Sequence, residues 1–321
     1  MHEDAIELAR SLPKAELHIH LEGALQPELI FKFVGRNGRD LPYQSIDELR
    51  AKYEFTNLQD FINVYLVGFN SLATAEDYED LANDYCEHAK AENVTHAEVF
   101  IEAQAGSSMT GTPLEAILGG CIRAAESWKE RGVELLLIPT FLRHLSESEA
   151  LKSLDELEPY YDNIVGIGLA SAEVGFPPEN FRHLFDRARE LGLHTVAHAG
   201  EEGPPEYVWG ALDDLGVERI DHGNRAIEDP VLVSRLARDQ IPLTMCPLSN
   251  LRLCVVDDLR NHPLKSFLDA GIKATVNSDD PAYFGGYINA NFEEIIKALD
   301  LSASDVRELV TNAHDASFRN T

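Results

Sequence analysis

Short apolar runs rich in β-forming residues alternate along this chain with longer amphipathic segments, and this alternation limits the fold more than any other feature. Eight runs have the length and composition of strands: Ala15–Ile19, Thr95–Ile101, Leu135–Phe141, Ile164–Leu169, His194–Ala197, Arg219–Asp221, Pro242–Met245 and Lys273–Asn277. Apolar residues at helical spacing lie between them in Asn180–Leu191, Pro230–Asp239 and His262–Ala270. Strands that alternate with helices build a parallel sheet, and eight of them can close it into a barrel.

The predicted fold class is therefore α/β, a (β/α)8 TIM-type barrel with extra helices after the first strands. These helices are predicted at Leu58–Phe69 and Asp77–Ala91. An open dinucleotide-binding sheet is the weaker interpretation, because no GxGxxG motif follows the first strand. Barrels of this size form one unit, so residues 1–321 are predicted to be a single domain. Its active site should lie at the C-terminal ends of the strands.

The charge balance excludes two classes of partner. The chain has 55 acidic residues against 27 basic ones, which gives a formal net charge of −28. Such a surface repels phosphate backbones and anionic lipids, so we expect neither nucleic acid nor membranes as partners. Solubility is one explanation of this charge, and adaptation to high salt is another.

The chain carries no pattern of export or membrane insertion. The N-terminal residues 1–4 are acidic where a signal peptide is basic, no apolar core follows them, and no run reaches the length of a membrane span. The cysteines form neither a CxxC pair nor a disulfide framework. We therefore expect a cytoplasmic protein with four free thiols, which are Cys86, Cys121, Cys246 and Cys254.

Residues of metal-binding type stand at the ends of the first, fifth and eighth predicted strands. His18 and His20 lie two residues apart on the first strand, so both side chains can project to the same face. His198 ends the fifth strand, and Asp279 follows the eighth, which neighbours the first in a closed barrel. Three imidazoles and one carboxylate, with room for water, form the ligand set of a catalytic zinc site.

Each of these residues has an ordinary alternative when it is considered alone. His198 could be a hydrogen-bonded core histidine, and residues 279–281 could form a turn or a helix cap. Those alternatives do not explain together why polar residues interrupt several strand ends, so the metal site is the better interpretation. The fourth predicted strand contains no lysine that could bridge two metals, and we therefore expect one zinc ion per chain.

Three further residues are placed to assist a reaction at such a metal. His222 ends the sixth strand, between the strands of His198 and Asp279, and can orient an attacking water and take its proton. Glu201 follows the fifth strand and is not needed as a ligand, so its carboxyl is free for acid–base chemistry. The alternative for Glu201 is a solvated acidic residue. Asp280 can hydrogen-bond the substrate or the water.

Four segments occur in the order that is typical of one enzyme family: Leu12–Gly23, Ala197–Glu201, Cys246–Asn250 and Asn277–Pro281. With them the chain resembles the adenosine/adenine deaminase branch of the amidohydrolase superfamily, over about residues 12–292. As an ordered set these motifs are highly specific. The resemblance implies a mononuclear zinc site in a (β/α) barrel, which removes the 6-amino group of a purine hydrolytically as ammonia.

The resemblance also implies a role for each site residue. The zinc ligands it assigns are His18, His20, His198 and Asp279. Glu201 would protonate the purine at N1, His222 would orient the attacking hydroxide, and Asp280 would bind the ring at N7. The substrate-binding residues expected from it are Asp280, Ser171 and Glu22.

Adenine is the expected substrate, with conversion to hypoxanthine. The segments Ile220–Gly223, 201–207 and 281–287 are more similar to the adenine-using branch than to the nucleoside-using one. The chain departs from that branch at four positions near the expected purine site, which are Ala103, Ala170, Ala172 and Phe176. Fewer polar partners there should relax or redirect recognition, so a modified adenine or an adenine nucleoside is an alternative.

Two alternatives to an adenine deaminase therefore stay open. One is a deaminase of adenosine or a modified adenosine, and the other is a different metal-dependent amidohydrolase. Glu201 and Asp280 together favour a nitrogen heterocycle over another amide. The only partner that we expect is a small-molecule purine, and the sequence leaves open whether the chain forms a homo-oligomer.

Overall fold

A computed structural model describes residues 2–55 and 58–320 of the chain. Its sheet has eight strands in the order β1 to β8: β1 Lys14–His20, β2 Val94–Ile101, β3 Glu134–Leu142, β4 Gly166–Ala170, β5 His194–Ala199, β6 Arg219–His222, β7 Leu243–Met245 and β8 Ala274–Val276. Every neighbouring pair is parallel. A parallel bridge between Ile19 and Asp279 joins the last strand to the first. The predicted (β/α)8 barrel is confirmed.

Helices surround the barrel. Within the described residues they are α1 His2–Ser11, α2 Pro27–Asn37, α3 Ile46–Arg50, α4 Leu58–Phe69, α5 Ala75–Ala91, α6 Ala103–Ala105, α7 Leu114–Arg131, α8 Glu147–Glu156, α9 Arg182–Glu190, α10 Pro205–Gly210, α11 Pro230–Asp239, α12 Pro247–Arg252, α13 Leu264–Asp269, α14 Pro281–Phe284, α15 Ile288–Leu299 and α16 Ala303–Asp315. None of the helices in this part of the chain is long and apolar enough to cross a membrane.

The extra helices lie where they were predicted, and one of them starts earlier. α4 has the predicted bounds, whereas α5 begins at Ala75 and not at Asp77. The reason is a capping box, in which the Thr74 side chain accepts from the backbone of Asp77 and the Asp77 side chain accepts from the backbone of Thr74. Asp77 is thus the third residue of the helix.

One predicted helix near the C-terminal strands starts later than expected. The predicted segment His262–Ala270 contains α13, which begins at Leu264. Pro263 explains the delay, because a residue before proline is held in an extended conformation, and His262 has ψ 132°.

A β-bulge in β1 decides which side chains reach the barrel mouth. The register against β2 shifts between Glu16 and Ile19. As a result Glu16 turns outward and accepts a hydrogen bond from Tyr85 of α5 (2.7 Å), whereas His18 turns inward and reaches Thr244 on β7. Strict alternation would put Glu16 and His18 on the same face, so the bulge re-aims the histidine.

Apolar side chains fill the barrel below the mouth. Phe100, Ile138 and Val196 form a buried cluster, and Phe318 from the C-terminal segment packs against it. The Phe100 ring lies directly beneath the histidines, with its centroid 5.2 Å from that of His18. Below this apolar layer the Arg219 guanidinium, over the Phe318 ring, forms a buried ion pair with Glu98 (2.6 Å).

The acidic composition gives a first testable expectation. Like charges on the folded surface repel one another, and salt screens that repulsion over a Debye length of about 3 Å at 1 M, against about 10 Å at 0.1 M. If the net charge of −28 reflects adaptation to high salt, the thermal midpoint should rise by several degrees between dilute buffer and molar potassium chloride. Differential scanning calorimetry measures it, with sucrose at matched osmolality as the control. An unchanged midpoint would leave solubility as the explanation.

Candidate active site

Five side chains from four strands meet at the C-terminal mouth of the barrel. His18 and His20 come from β1, His198 from β5 and His222 from the end of β6, and Asp279 follows β8. The Asp279 Oδ1 atom lies 3.3 Å from His18 Nε2 and 3.5 Å from His20 Nε2. The Nε2 atoms of His20 and His198 are 3.2 Å apart. All five residues are at most 8% exposed.

The compact part of this cluster differs in one member from the predicted ligand set. One ligand atom from each of His18, His198, His222 and Asp279 lies within 4.8 Å of the others. His222 thus belongs to this group, while His20 lies at its edge beside His198 and Asp279. Distances alone therefore do not show which of these side chains would bind a metal. The hydrogen-bond partner of the Nδ1 atom in each histidine does distinguish them, because it decides whether Nε2 carries a proton.

The hydrogen bonds of His18 leave its Nε2 atom bare. The Thr244 hydroxyl donates to Asp221 Oδ1 (2.8 Å), so it must accept from His18 Nδ1, which is 2.9 Å away. A neutral imidazole that donates from Nδ1 has its lone pair on Nε2. That Nε2 is buried without a hydrogen-bond partner among the described residues, and it faces Asp279.

His20 and His198 have the same arrangement. His20 Nδ1 lies 3.1 Å from Glu102 Oε1, and His198 Nδ1 lies 3.1 Å from the carbonyl oxygen of Leu169. Both partners only accept, so each Nδ1 donates and each Nε2 keeps its lone pair. Three bare imidazole nitrogens beside a carboxylate, each ring held by a second partner, form a site that fits a zinc ion.

The electrostatics of the cluster also favour a cation. Burial opposes protonation of His20, but the hydrogen bond to Glu102 and the charges of Asp280 and Asp279 raise its pKa to about 10. Without a metal, a proton therefore occupies the Nε2 atom of His20 that a metal ion would bind. Burial likewise works against ionisation of Asp279, but the neighbouring His18 holds the pKa of this carboxyl well below its usual range. The carboxylates therefore supply negative charge that a bound metal would balance.

Glu201 is placed as a general acid should be, and its pKa is raised. It follows β5, and its Oε2 atom lies 3.6 Å from His222 Nε2. Burial, and then the charge of Asp279, raise the pKa of Glu201 well above its ordinary value. A carboxyl with a raised pKa keeps its proton at higher pH than an ordinary one and can deliver it to a substrate.

Glu173 holds the loop that carries Glu201. Its buried carboxylate accepts four backbone N–H groups in a row, those of Gly200 (2.6 Å), Glu201 (3.1 Å), Glu202 (2.9 Å) and Gly203 (2.8 Å). Sequence reasoning missed this role, although Glu173 lies in the segment compared with the family. The partners of Glu173 are backbone amides, which leave no signal in side-chain patterns.

Replacing Glu173 with Gln should therefore lower the rate without changing the ligands. The glutamine side chain keeps one acceptor oxygen, but its NH2 group faces backbone N–H groups, which are also donors. The loop should therefore shift, and Glu201 with it. A misplacement of about 1 Å costs on the order of 10²-fold in rate. We expect kcat to fall by about 10- to 100-fold while the metal content stays at the wild-type level. Glu206→Gln, an exposed residue of α10, is the matched control and should retain wild-type kcat.

Asp280 depends on a glycine for its position. A Cβ atom at Gly23 would lie 2.0 Å from Asp280 Oδ1, so no other residue fits at position 23 while Asp280 keeps its place. Burial, and then the charge of Asp279, raise the pKa of Asp280 well above its ordinary value. Asp280 therefore holds a proton more tightly than an ordinary carboxyl does, at the edge of the metal cluster.

The two other predicted substrate residues have different surroundings. Glu22 is buried; its Oε1 accepts from the backbone of Glu102 (3.2 Å), and its Oε2 has no hydrogen-bond partner among the described residues. Burial, and then the charge of Glu102, raise the pKa of Glu22 to about 8. Ser171 is exposed just after β4, and its hydroxyl bonds His144 Nδ1 (2.8 Å), so its side chain is engaged at the rim.

Three residues of this region have a left-handed backbone conformation. His222, Asp279 and Ser171 are non-glycine residues with φ of 64°, 63° and 82°. This conformation costs an L-residue free energy, which the surrounding fold has to offset. Two of these three residues belong to the compact cluster.

A buried arginine fixes the loop in which the chain departs from its family. Arg143 Nη1 donates to the carbonyl oxygen of His198 (2.7 Å), and its Nε donates to that of Phe176 (2.9 Å). Sequence reasoning missed Arg143 as well. Its side chain links the β4 loop to the metal cluster, so the substitutions at Ala170, Ala172 and Phe176 lie in a backbone segment that is held in place.

Comparisons with known proteins agree with this geometry. The family model described as Adenosine deaminase matches residues 13–321. An adenine deaminase of Sphingopyxis alaskensis is 54% identical over 99% of this chain and 93% of its own length. The crystal structure of an adenine deaminase from Arthrobacter aurescens is 50% identical and has a TM-score of 0.93, over 96% of this chain and 94% of that one.

A more distant solved structure is similar over the same fold. It is an amidohydrolase from Burkholderia ambifaria with bound zinc, which is 27% identical with a TM-score of 0.90, over 98% of this chain and 88% of that one. A family match over nearly the whole length, together with relatives about half identical, settles the classification. The chain belongs to the adenosine deaminase family.

Proposed function

We propose that this protein is a zinc-dependent adenine deaminase, which hydrolyses adenine to hypoxanthine and ammonia. The observation that carries the proposal is a buried group of three imidazoles, each donating from Nδ1 so that Nε2 can bind a metal, and Asp279, beside the carboxyl of Glu201 with its raised pKa. Relatives named adenine deaminases, 54% and 50% identical over nearly the whole chain, support adenine as the substrate.

One zinc ion would be held by His18, His20, His198 and Asp279. The tautomers of the three histidines suit this role, and zinc is the metal bound in the Burkholderia ambifaria amidohydrolase. When bound, zinc supplies Lewis-acid activation of the attacking water. β4 contains no lysine that could bridge a second metal, so one ion is the proposed content.

Three side chains of the site act on the purine and on the attacking water. Glu201 donates its proton to N1, which makes C6 more electrophilic. Asp280, whose raised pKa favours the protonated form, donates a hydrogen bond to N7, an atom that can only accept. His222 orients the attacking oxygen between Glu201 and Asp279.

Glu22 and Ser171 are proposed to bind the purine edge away from C6. Glu22 has a pKa of about 8, so near neutral pH its carboxyl both donates and accepts hydrogen bonds. The N3 and N9–H atoms of a free base need one donor and one acceptor, whereas a nucleoside has no N9–H. This match favours adenine over adenosine, which is the second candidate because of the departures at Ala170 and Phe176.

Purified protein loaded with zinc and given adenine tests the proposal. We expect stoichiometric ammonia and hypoxanthine, measured by a glutamate dehydrogenase assay and by chromatography, and a kcat/KM for adenine above those for adenosine and N6-substituted adenines. A preference for adenosine would establish the second candidate. No ammonia from any 6-aminopurine would overturn the deaminase and point to another amidohydrolase reaction.

A further inference from the structure

His222 differs from the other histidines of the cluster in the partner of its second nitrogen. His18, His20 and His198 each donate from Nδ1, whereas His222 Nδ1 lies 3.2 Å from the side-chain nitrogen of Asn250. An amide nitrogen only donates, so His222 Nδ1 must accept. The proton of its neutral ring is then on Nε2.

The orientation of the Asn250 amide follows from a backbone group. The N–H of Leu264 points at His262 Nδ1 (3.3 Å), which must therefore accept. The proton of His262 is then on Nε2, which lies 3.1 Å from Asn250 Oδ1 and donates to it. Asn224 donates to the same oxygen (2.9 Å).

These contacts allow one arrangement of donors and acceptors. Asn250 Oδ1 faces two donors, so the NH2 group of Asn250 must face His222. Asn250, His262, Asn224 and His222 are all at most 3% exposed, so water does not substitute for these partners. The direction of every hydrogen bond is therefore set by the one proton that cannot move, on the backbone nitrogen of Leu264.

We infer that Asn250, with His262 behind it, is a positioning residue that holds His222 in the Nε2–H tautomer. This tautomer keeps His222 from acting as a metal ligand through Nε2, although it belongs to the compact cluster. It also makes His222 a hydrogen-bond donor at the site. The inference deepens the proposed function and rests on it, because it assigns how one residue of that site works.

The Nε2–H group of His222 lies near two carboxylates. His222 Nε2 lies 3.6 Å from Glu201 Oε2 and 3.7 Å from Asp279 Oδ2, too far for direct hydrogen bonds. An oxygen atom to one side of these atoms can lie at hydrogen-bond distance from Nε2 and from the carboxylates. His222 thus orients the attacking oxygen by donating to it. It does not take the proton of the water, because Nε2 has no free lone pair.

Nitrogen NMR of the zinc-loaded chain with 15N-labelled histidine tests the tautomer directly. The His222 signals are assigned by their loss in His222→Gln. We expect a proton on Nε2 and a bare, pyridine-type Nδ1. A bare Nε2 would overturn the inference, and it would do so whether or not the protein deaminates adenine. Failure of the deaminase assay alone would instead count against the proposed function.

Asn250→Asp tests the positioning role with almost no change in shape. The carboxylate still accepts from His262 and Asn224, but it now also accepts at His222, so Nδ1 must carry a proton. The neutral Nε2–H donor is then lost, because the ring becomes either the other tautomer or a cation. We expect kcat to fall by about 10- to 100-fold with a smaller change in KM, as for other residues that orient site histidines. The NMR signal of a bare Nδ1 should disappear.

A double-variant comparison separates positioning from a general structural effect. In the His222→Gln background, Asn250→Asp should cause no further loss of kcat, because the residue through which it acts is gone. An equal loss in both backgrounds would overturn the inference. So would wild-type kcat in Asn250→Asp.

Discussion

Glu201→Gln should lower kcat for adenine by about 10² to 10⁴-fold, the range that a general acid contributes. Glutamine has the shape of glutamic acid and can keep the loop contacts, but its amide cannot release a proton to N1 of the purine. The metal ligands are not altered, so the metal content should stay at the wild-type value. Steady-state kinetics and elemental analysis of the same preparation measure both.

The neighbouring residue is a close control for this substitution. Glu202 lies in the same loop and also donates its backbone N–H to Glu173 (2.9 Å), but it is not a member of the compact cluster. Glu202→Gln should keep kcat within about threefold of wild type. Wild-type turnover by Glu201→Gln would remove Glu201 from the mechanism.

Metal removal should abolish turnover and also destabilise the fold. The proposed ligands come from β1, β5 and the segment after β8, so a bound ion joins three parts of the barrel. A free zinc concentration of about 1,000 times the dissociation constant adds about 4 kcal/mol to the free energy of unfolding. For a chain of this size, that raises the thermal unfolding midpoint by roughly 5 °C or more. We expect chelation to remove activity, to lower the midpoint and to be reversed by zinc.

Two histidine variants test the metal site, one at a proposed ligand and one away from the site. His20→Ala should lower the metal content measured by elemental analysis, whereas His88→Ala, at a half-buried histidine on α5 that stacks on Tyr287, should leave it unchanged. Full activity in a chain shown by elemental analysis to be free of metal would contradict the zinc proposal, and so would equal metal loss in the two variants.

The fold was predictable because the chain repeats one local pattern. Each of the eight predicted strands overlaps an observed strand, and α4 and α11 have their predicted bounds. The errors are at helix starts, where single residues decide the boundary. Thr74 moved the start of α5 forward, and Pro263 delayed that of α13.

The place of the candidate site residues in the fold was predictable, but the groups that orient them were not. Because His18, His198 and Asp279 lie at or just after the ends of predicted strands, the sequence predicted that they meet at one mouth of the barrel, and they do. The bulge in β1 that turns His18 inward leaves no signal in the sequence, since strict alternation would group it with Glu16. Glu173 and Asn250 act through backbone amides and through a chain of hydrogen bonds, which exist only after folding.

The closure between β8 and β1 has a consequence for how the protein is made. The backbone bonds that close the barrel involve the proposed ligands themselves, since His20 N–H donates to Asp279 O and Asp279 N–H donates to His18 O. A ribosome releases the first of these residues long before the last. Until residue 279 has emerged, a nascent chain has neither a closed barrel nor a complete ligand set. The complete set of proposed ligands is therefore brought together only late in synthesis, by the same backbone bonds that close the barrel.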